Sequence, residues 1–114
     1  MIELKELKIY LECDDEFVLE IVSQFKMEAT ICLDEIIDAS HRSDINEIAR
    51  TSHRMLSSTR ILKFDELSAI LEKLEGQSIW NQTVYTDLIA RFQSNLTICL
   101  EEISALEKQL TKSD

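Results

Sequence analysis

A chain of 114 residues with one glycine and no proline has almost nothing with which to turn a strand. Average usage would place about 8 glycines and about 6 prolines in this length. Two-residue hairpins lean on glycine, and phosphate-cradling loops need several glycines close together. Gly76, standing alone, serves neither. Such a chain must keep its backbone in right-handed helix and change direction at a few short polar breaks. The expected fold class is therefore all-α. The length suits a single domain over residues 1–114, and roughly two thirds of the unfolded surface of such a chain can be buried, enough for one core.

Apolar periodicity divides the chain into helices. Leu4, Leu7 and Leu11 predict a short leading helix over residues 3–11, closed by the cluster Cys13-Asp14-Asp15-Glu16, which also supplies a new N-cap. Val18, Ile21, Val22, Phe25, Ala29, Cys32, Ile36 and Ala39 form a sustained stripe from Asp15 to Ala39. Residues 40–44 are a polar break in which Ser43 or Asp44 can cap a helix running to Leu62. A third segment starts at Phe64 or Asp65 and stops at Gly76, and a fourth runs from Asn81 to Lys112. Short links between long helices predict an antiparallel up-down four-helix bundle with a short extra N-terminal helix. The segments starting at Phe25 and Phe92 share seven of twelve residues. Two copies make no solenoid; either two helices fill comparable slots in one core, or a duplication forms a dimer.

Twelve Lys and Arg against 22 Asp and Glu give a net charge of −10, which repels a phosphate backbone or an anionic membrane face. Nucleic acid and membrane are thereby set aside as partners. Cys13, Cys32 and Cys99 are an odd number, widely spaced within apolar stretches, a pattern of small core residues rather than of a disulfide framework or zinc knuckle. The N-terminal residues mix charge with apolar side chains, unlike a signal peptide, and no run reaches the ~18 apolar residues of a membrane span. A cytoplasmic monomer is the expectation.

Familiar catalytic spacings are absent: there is no His-x-x-x-His and no Cys-x-x-Cys. Of the two histidines, His41 falls in a polar break and reads as an exposed loop residue. His53 is different. In its helix the stripe Ile45, Ile48, Ala49, Ser52, Met55, Leu56, Thr59 and Leu62 faces the core, and His53 projects from the flank with Asn46, Arg50, Ser57 and Arg60. An imidazole there is either one more surface polar group or a nucleophile toward an activated phosphoryl group, neutral for much of the time near pH 7. Arg50 and Arg60 bring positive charge to the same flank.

The ungapped stretch from His53 to Glu75 resembles the histidine-containing phosphotransfer (HPt) domain of two-component phosphorelays. Ser52 stands at the family's small position, His53 at the acceptor, Met55 at the leucine and Ser58 at a small position, with Leu67, Leu74 and Glu75 following in register. Asp44, nine residues before the histidine, matches the family's Gly-Asp turn, and Phe17 and Phe25 match its aromatic helix positions. Three positions depart from the pattern. Leu56 replaces the lysine three residues after the histidine, Ser57 the glycine at four, and Lys63 the glycine at ten. The resemblance implies that His53 accepts a phosphoryl group from a receiver-domain aspartyl phosphate and passes it to another receiver aspartate. It also implies that Glu75 hydrogen-bonds and orients the imidazole, with Arg50, Arg60 and Ser57 left to hold the phosphoryl group in place of the lysine. At Lys63 a non-glycine residue costs stability rather than function.

On the same resemblance the partners are response-regulator receivers and a sensor or hybrid histidine kinase, with no cofactor in this chain and Mg²⁺ carried by the receiver. Leu56, Ile61 and Phe64 are the expected apolar docking side chains beside the acceptor. Two rival readings remain: a non-catalytic, degenerate HPt adaptor that binds receivers or kinases, and the phosphoacceptor domain of a chemotaxis-type kinase.

Overall fold

A computed structural model describes residues 14–111. The leading helix expected over residues 3–11 and Cys13 lie outside the described residues. The helices are α1 (Asp15–His41), α2 (Ile45–Ile61), α3 (Asp65–Glu75) and α4 (Gln82–Thr111), and no strand occurs among the described residues. Their ends follow local chemistry. Asp14 caps α1 by accepting from the Phe17 amide at 3.0 Å, and Asp44 caps α2 through the Glu47 amide at 3.1 Å. Asn81 does the same for α4 through the Val84 amide at 3.1 Å.

Cross-helix bonds fix the directions. Glu35 meets Thr51 and Arg54 while Glu28 meets Ser58, so α2 descends as α1 rises. His53 pairs with Glu75 and Thr59 with Ser68 across α2 and α3. Lys26, near the middle of α1, pairs with Glu107 towards the end of α4, whereas Ile37 and Ser40 at the end of α1 share a groove with Tyr85 and Ile89 near the start of α4. α2 thus runs antiparallel to both α1 and α3, and α4 antiparallel to α1, around one core. At 1.5 Å per residue α4 spans ~45 Å and α3 only ~16 Å, within a body 51 Å long. All four helices therefore overlap along only part of the length, and α2 and α3, which carry His53 and Glu75, lie in that part.

The core is the sequence stripe made solid. Val18, Val22, Phe25, Ala29, Cys32, Ile36 and Ala39 of α1 are buried against Tyr85, Leu88, Phe92, Leu96, Cys99 and Ile103 of α4. The repeated segments place Phe25 and Phe92, Cys32 and Cys99, Ile36 and Ile103 as equivalent buried residues, which is the account of comparable slots in one core. Thr51, absent from the expected stripe of α2, is also buried, and donates to the Glu35 carboxylate at 3.3 Å.

Two breaks share one turn design. After α1 the Asp44 amide bonds the Ala39 carbonyl at 2.9 Å and Ser43 has φ of 53°. After α2 the Phe64 amide bonds the Thr59 carbonyl at 2.9 Å and Lys63 has φ of 60°. Each is a helix end closed by a left-handed residue, where glycine is the usual choice. Gly76 ends α3 as expected but in a right-handed conformation, φ −81°, so its lack of a Cβ is not what that turn requires.

Candidate functional site

The flank of α2 opposite its buried stripe is exposed at Asn46, Arg50, His53, Ser57 and Arg60, as the three- and four-residue spacing dictates. Around it α3 is folded back by the Lys63 turn, which delivers Glu75 to His53. The Nδ1 atom of His53 lies 2.7 Å from Oε1 of Glu75, with the two side chains 72% and 36% exposed. An ionised carboxylate can only accept. Beside an ionised Glu75, Nδ1 is therefore the donor, and Nε2 bonds no other described residue. Glu75 ends α3, where the helix macrodipole disfavours a negative charge; the imidazole across the seam offsets that placement.

The arginines do not form a bare cationic patch. Arg50 bonds Glu47, Arg54 bonds Glu35 at 2.6 Å, and Arg60 bonds Glu72 at 3.1 Å. The hydrogen bond with Glu35 is the main cause that raises the Arg54 pKa above its ordinary value, and it holds the guanidinium charged. Each arginine thus stands as one half of an exposed ion pair. Ser57, one turn after His53, turns its hydroxyl to the Arg54 carbonyl at 3.5 Å.

Two expected docking side chains are not at the surface. Leu56 is 1% exposed and Phe64 3%. Leu56 belongs to the buried stripe of α2, and the Phe64 ring turns inward against Phe25, with centroids 5.3 Å apart. Ile61 alone of the three is exposed. What the sequence reading missed lies on α1. Ile31 and Met27 are exposed there, and Ile31 with Glu28, Glu35, Arg54, Ser57 and Ser58 lines a groove of about 480 Å³ between α1 and α2. The signal was available: Ile31 is an isoleucine that falls outside the buried stripe of its helix.

The site is thus an exposed imidazole paired with one carboxylate on the face of a helical bundle. The Hpt domain family profile matches residues 20–112, and the chain belongs to that family, whose members carry phosphoryl groups on histidine in phosphorelays and interact with receiver domains and kinases. No curated protein and no solved structure matches the chain at a significant level. Among the described residues no helix is long and apolar enough to cross a membrane.

Proposed function

We propose that His53 takes a phosphoryl group from an aspartyl phosphate of one receiver domain and gives it to an aspartate of another. The observation that carries this reading is the 2.7 Å bond from Nδ1 to Glu75. It holds the proton on one nitrogen and leaves Nε2 as the nucleophile. The Nε2 lone pair forms the N–P bond as the acyl phosphate P–O bond breaks, and that electron pair leaves with the receiver's aspartate carboxylate. The ring becomes cationic, keeping its Nδ1 proton, and Glu75 stabilises that charge. Return to a second receiver is the same step reversed. The receiver brings its own Mg²⁺.

Docking is assigned to the face that includes the α1–α2 groove and Ile61. Ile31 and Met27 offer apolar area there, Glu28 and Glu35 form an acidic rim, and Ser57 places the groove within one turn of His53. A receiver helix with an apolar side chain flanked by basic ones complements it.

Incubation with a phosphorylated receiver and measurement of acid-labile label tests the relay. Wild type acquires label and His53→Gln does not; an unlabelled wild type, or equal labelling of the variant, overturns the reading. A second reading, a receiver-binding adaptor without transfer, is favoured by one fact: the family's lysine position holds the buried Leu56. Binding of the receiver without acquisition of label would select it.

A further inference from the structure

We propose that Arg60 and Glu72 form an exchangeable clamp, in which the guanidinium rests on Glu72 while His53 is bare and moves onto the phosphoryl group when His53 carries one. The inference rests on His53 as the phosphoacceptor and assigns Glu72 a part that the family pattern does not contain. It starts from the register of α2 and α3. Thr59 meets Ser68 through a 2.8 Å bond between two short side chains, and His53 meets Glu75. Each step up α2 is therefore matched by about one step down α3. On that register the backbone of Arg60 stands level with residues 67–68, yet its guanidinium bonds Glu72 at 3.1 Å. Side chains on a helix lean toward its N-terminus, which carries the Arg60 head toward His53 and the Glu72 carboxylate back to meet it. The two meet near the level of Ser57, about one turn or ~5.4 Å along the axis from His53.

This is the region that a lysine at position 56 would serve, and here that position is a buried leucine. The other arginines are placed less well. Arg50 leans away from His53 toward Glu47, and Arg54 crosses to Glu35 of α1. Release of Arg60 is cheap, because both partners are more than half exposed and an exposed ion pair contributes little. A phosphoryl dianion offers the guanidinium fork two oxygens and twice the charge of the carboxylate. Glu72 then acts as a competitor that keeps Arg60 extended in the bare state.

The readout is the equilibrium partition of label between receiver and this chain, which a change in docking alone alters only in rate. Arg60→Ala shifts the partition toward the receiver by about fivefold to tenfold, the loss of a charge-assisted phosphoryl contact. Arg60→Lys restores part of it. Glu72→Gln shifts the partition the other way by about twofold to threefold, and this gain shrinks when combined with Arg60→Ala. An unchanged partition in Arg60→Ala overturns the clamp, and an undiminished Glu72→Gln effect in the Arg60→Ala background overturns the exchange. In either case labelling at His53 persists, so these results are distinct from failure of the relay itself, which would show as no label on wild type.

Discussion

At the scale of the residue, the site is two side chains and the proton between them. Glu75 acts on His53 by accepting from Nδ1 at 2.7 Å, and an amide oxygen can accept the same bond. Glu75→Gln is therefore expected to accept label at a rate within about threefold of wild type, because the neutral acceptor still holds the tautomer. Glu75→Ala loses the bond and falls by about tenfold, the effect of one hydrogen bond to a charged ring. Single-turnover labelling at saturating receiver separates this from any change in docking. The ungapped register set His53 and Glu75 on successive helices, and the structure brings the two side chains together. The helical stripe placed Leu56 in the core, where it lies, and its choice as a docking side chain ran against that placement. Position 64 reads as the start of a helix, a place that does not reveal burial, yet its ring completes the core beside Phe25.

At the scale of the element, helix spans were readable within a residue or two because nearly every apolar residue obeys the helical period. The same is true of the caps at Asp14 and Asp44, whereas Asn81, expected as the first residue of its helix, caps it instead. The single glycine was a poorer guide. Gly76 ends α3 without left-handed backbone, whereas Ser43 and Lys63 adopt it at φ of 53° and 60°. For an L-residue that conformation costs about 1–2 kcal/mol. Lys63→Gly removes this cost and adds back unfolded-state entropy of about 0.4–1 kcal/mol. The expected result is a gain of about 0.5 kcal/mol or slightly more, seen as a higher denaturation midpoint at unchanged slope. The φ of 60° gives a conformational reason for the glycine that the family pattern places ten residues after its histidine. Transfer by Lys63→Gly should match wild type, since the turn keeps its shape and Glu75 is delivered to the same place.

At the scale of the whole molecule, burial decides which groups take part in chemistry. Cys32 and Cys99 lie in equivalent core slots, and burial pushes the Cys99 thiol up to about 12, with desolvation likewise raising Cys32. A folded pKa above the unfolded one means that the contribution to stability is complete below the ordinary thiol value near 9 and is lost as pH rises toward about 12. Stability should therefore fall across that alkaline window, and less steeply in Cys99→Ala after allowance for the cavity. In a Cys13→Ser background, alkylation at pH 8 should be slow in the native state and fast in denaturant. Rapid native labelling would contradict the packing of α1 against α4.

The same scale sets the strongest test of where a partner lands. The whole surface is acidic on average, yet apolar area is not spread evenly over it: Ile31 and Met27 are exposed on α1, and Ile31 lines the groove that reaches Ser57. Charge alone cannot choose a docking face on a body of net charge −10; the coincidence of apolar area, an acidic rim and the acceptor can. Ile31 is half exposed, so Ile31→Lys leaves the core intact and changes only what a partner meets. It puts a positive charge where a basic receiver helix would press and removes the apolar contact beneath it. Transfer from a phosphorylated receiver should drop by about tenfold or more, as for loss of a central apolar contact. Chemical phosphorylation of His53 by a small donor such as phosphoramidate, which needs no docking, should be unchanged. Ile98, its counterpart in the repeated segment, is exposed to the same degree but sits on α4 between Glu66, Lys73 and Arg91. Ile98→Lys should leave both reactions as they are. Equal loss of transfer in the two variants would mean that general surface charge, rather than the groove beside His53, governs the encounter.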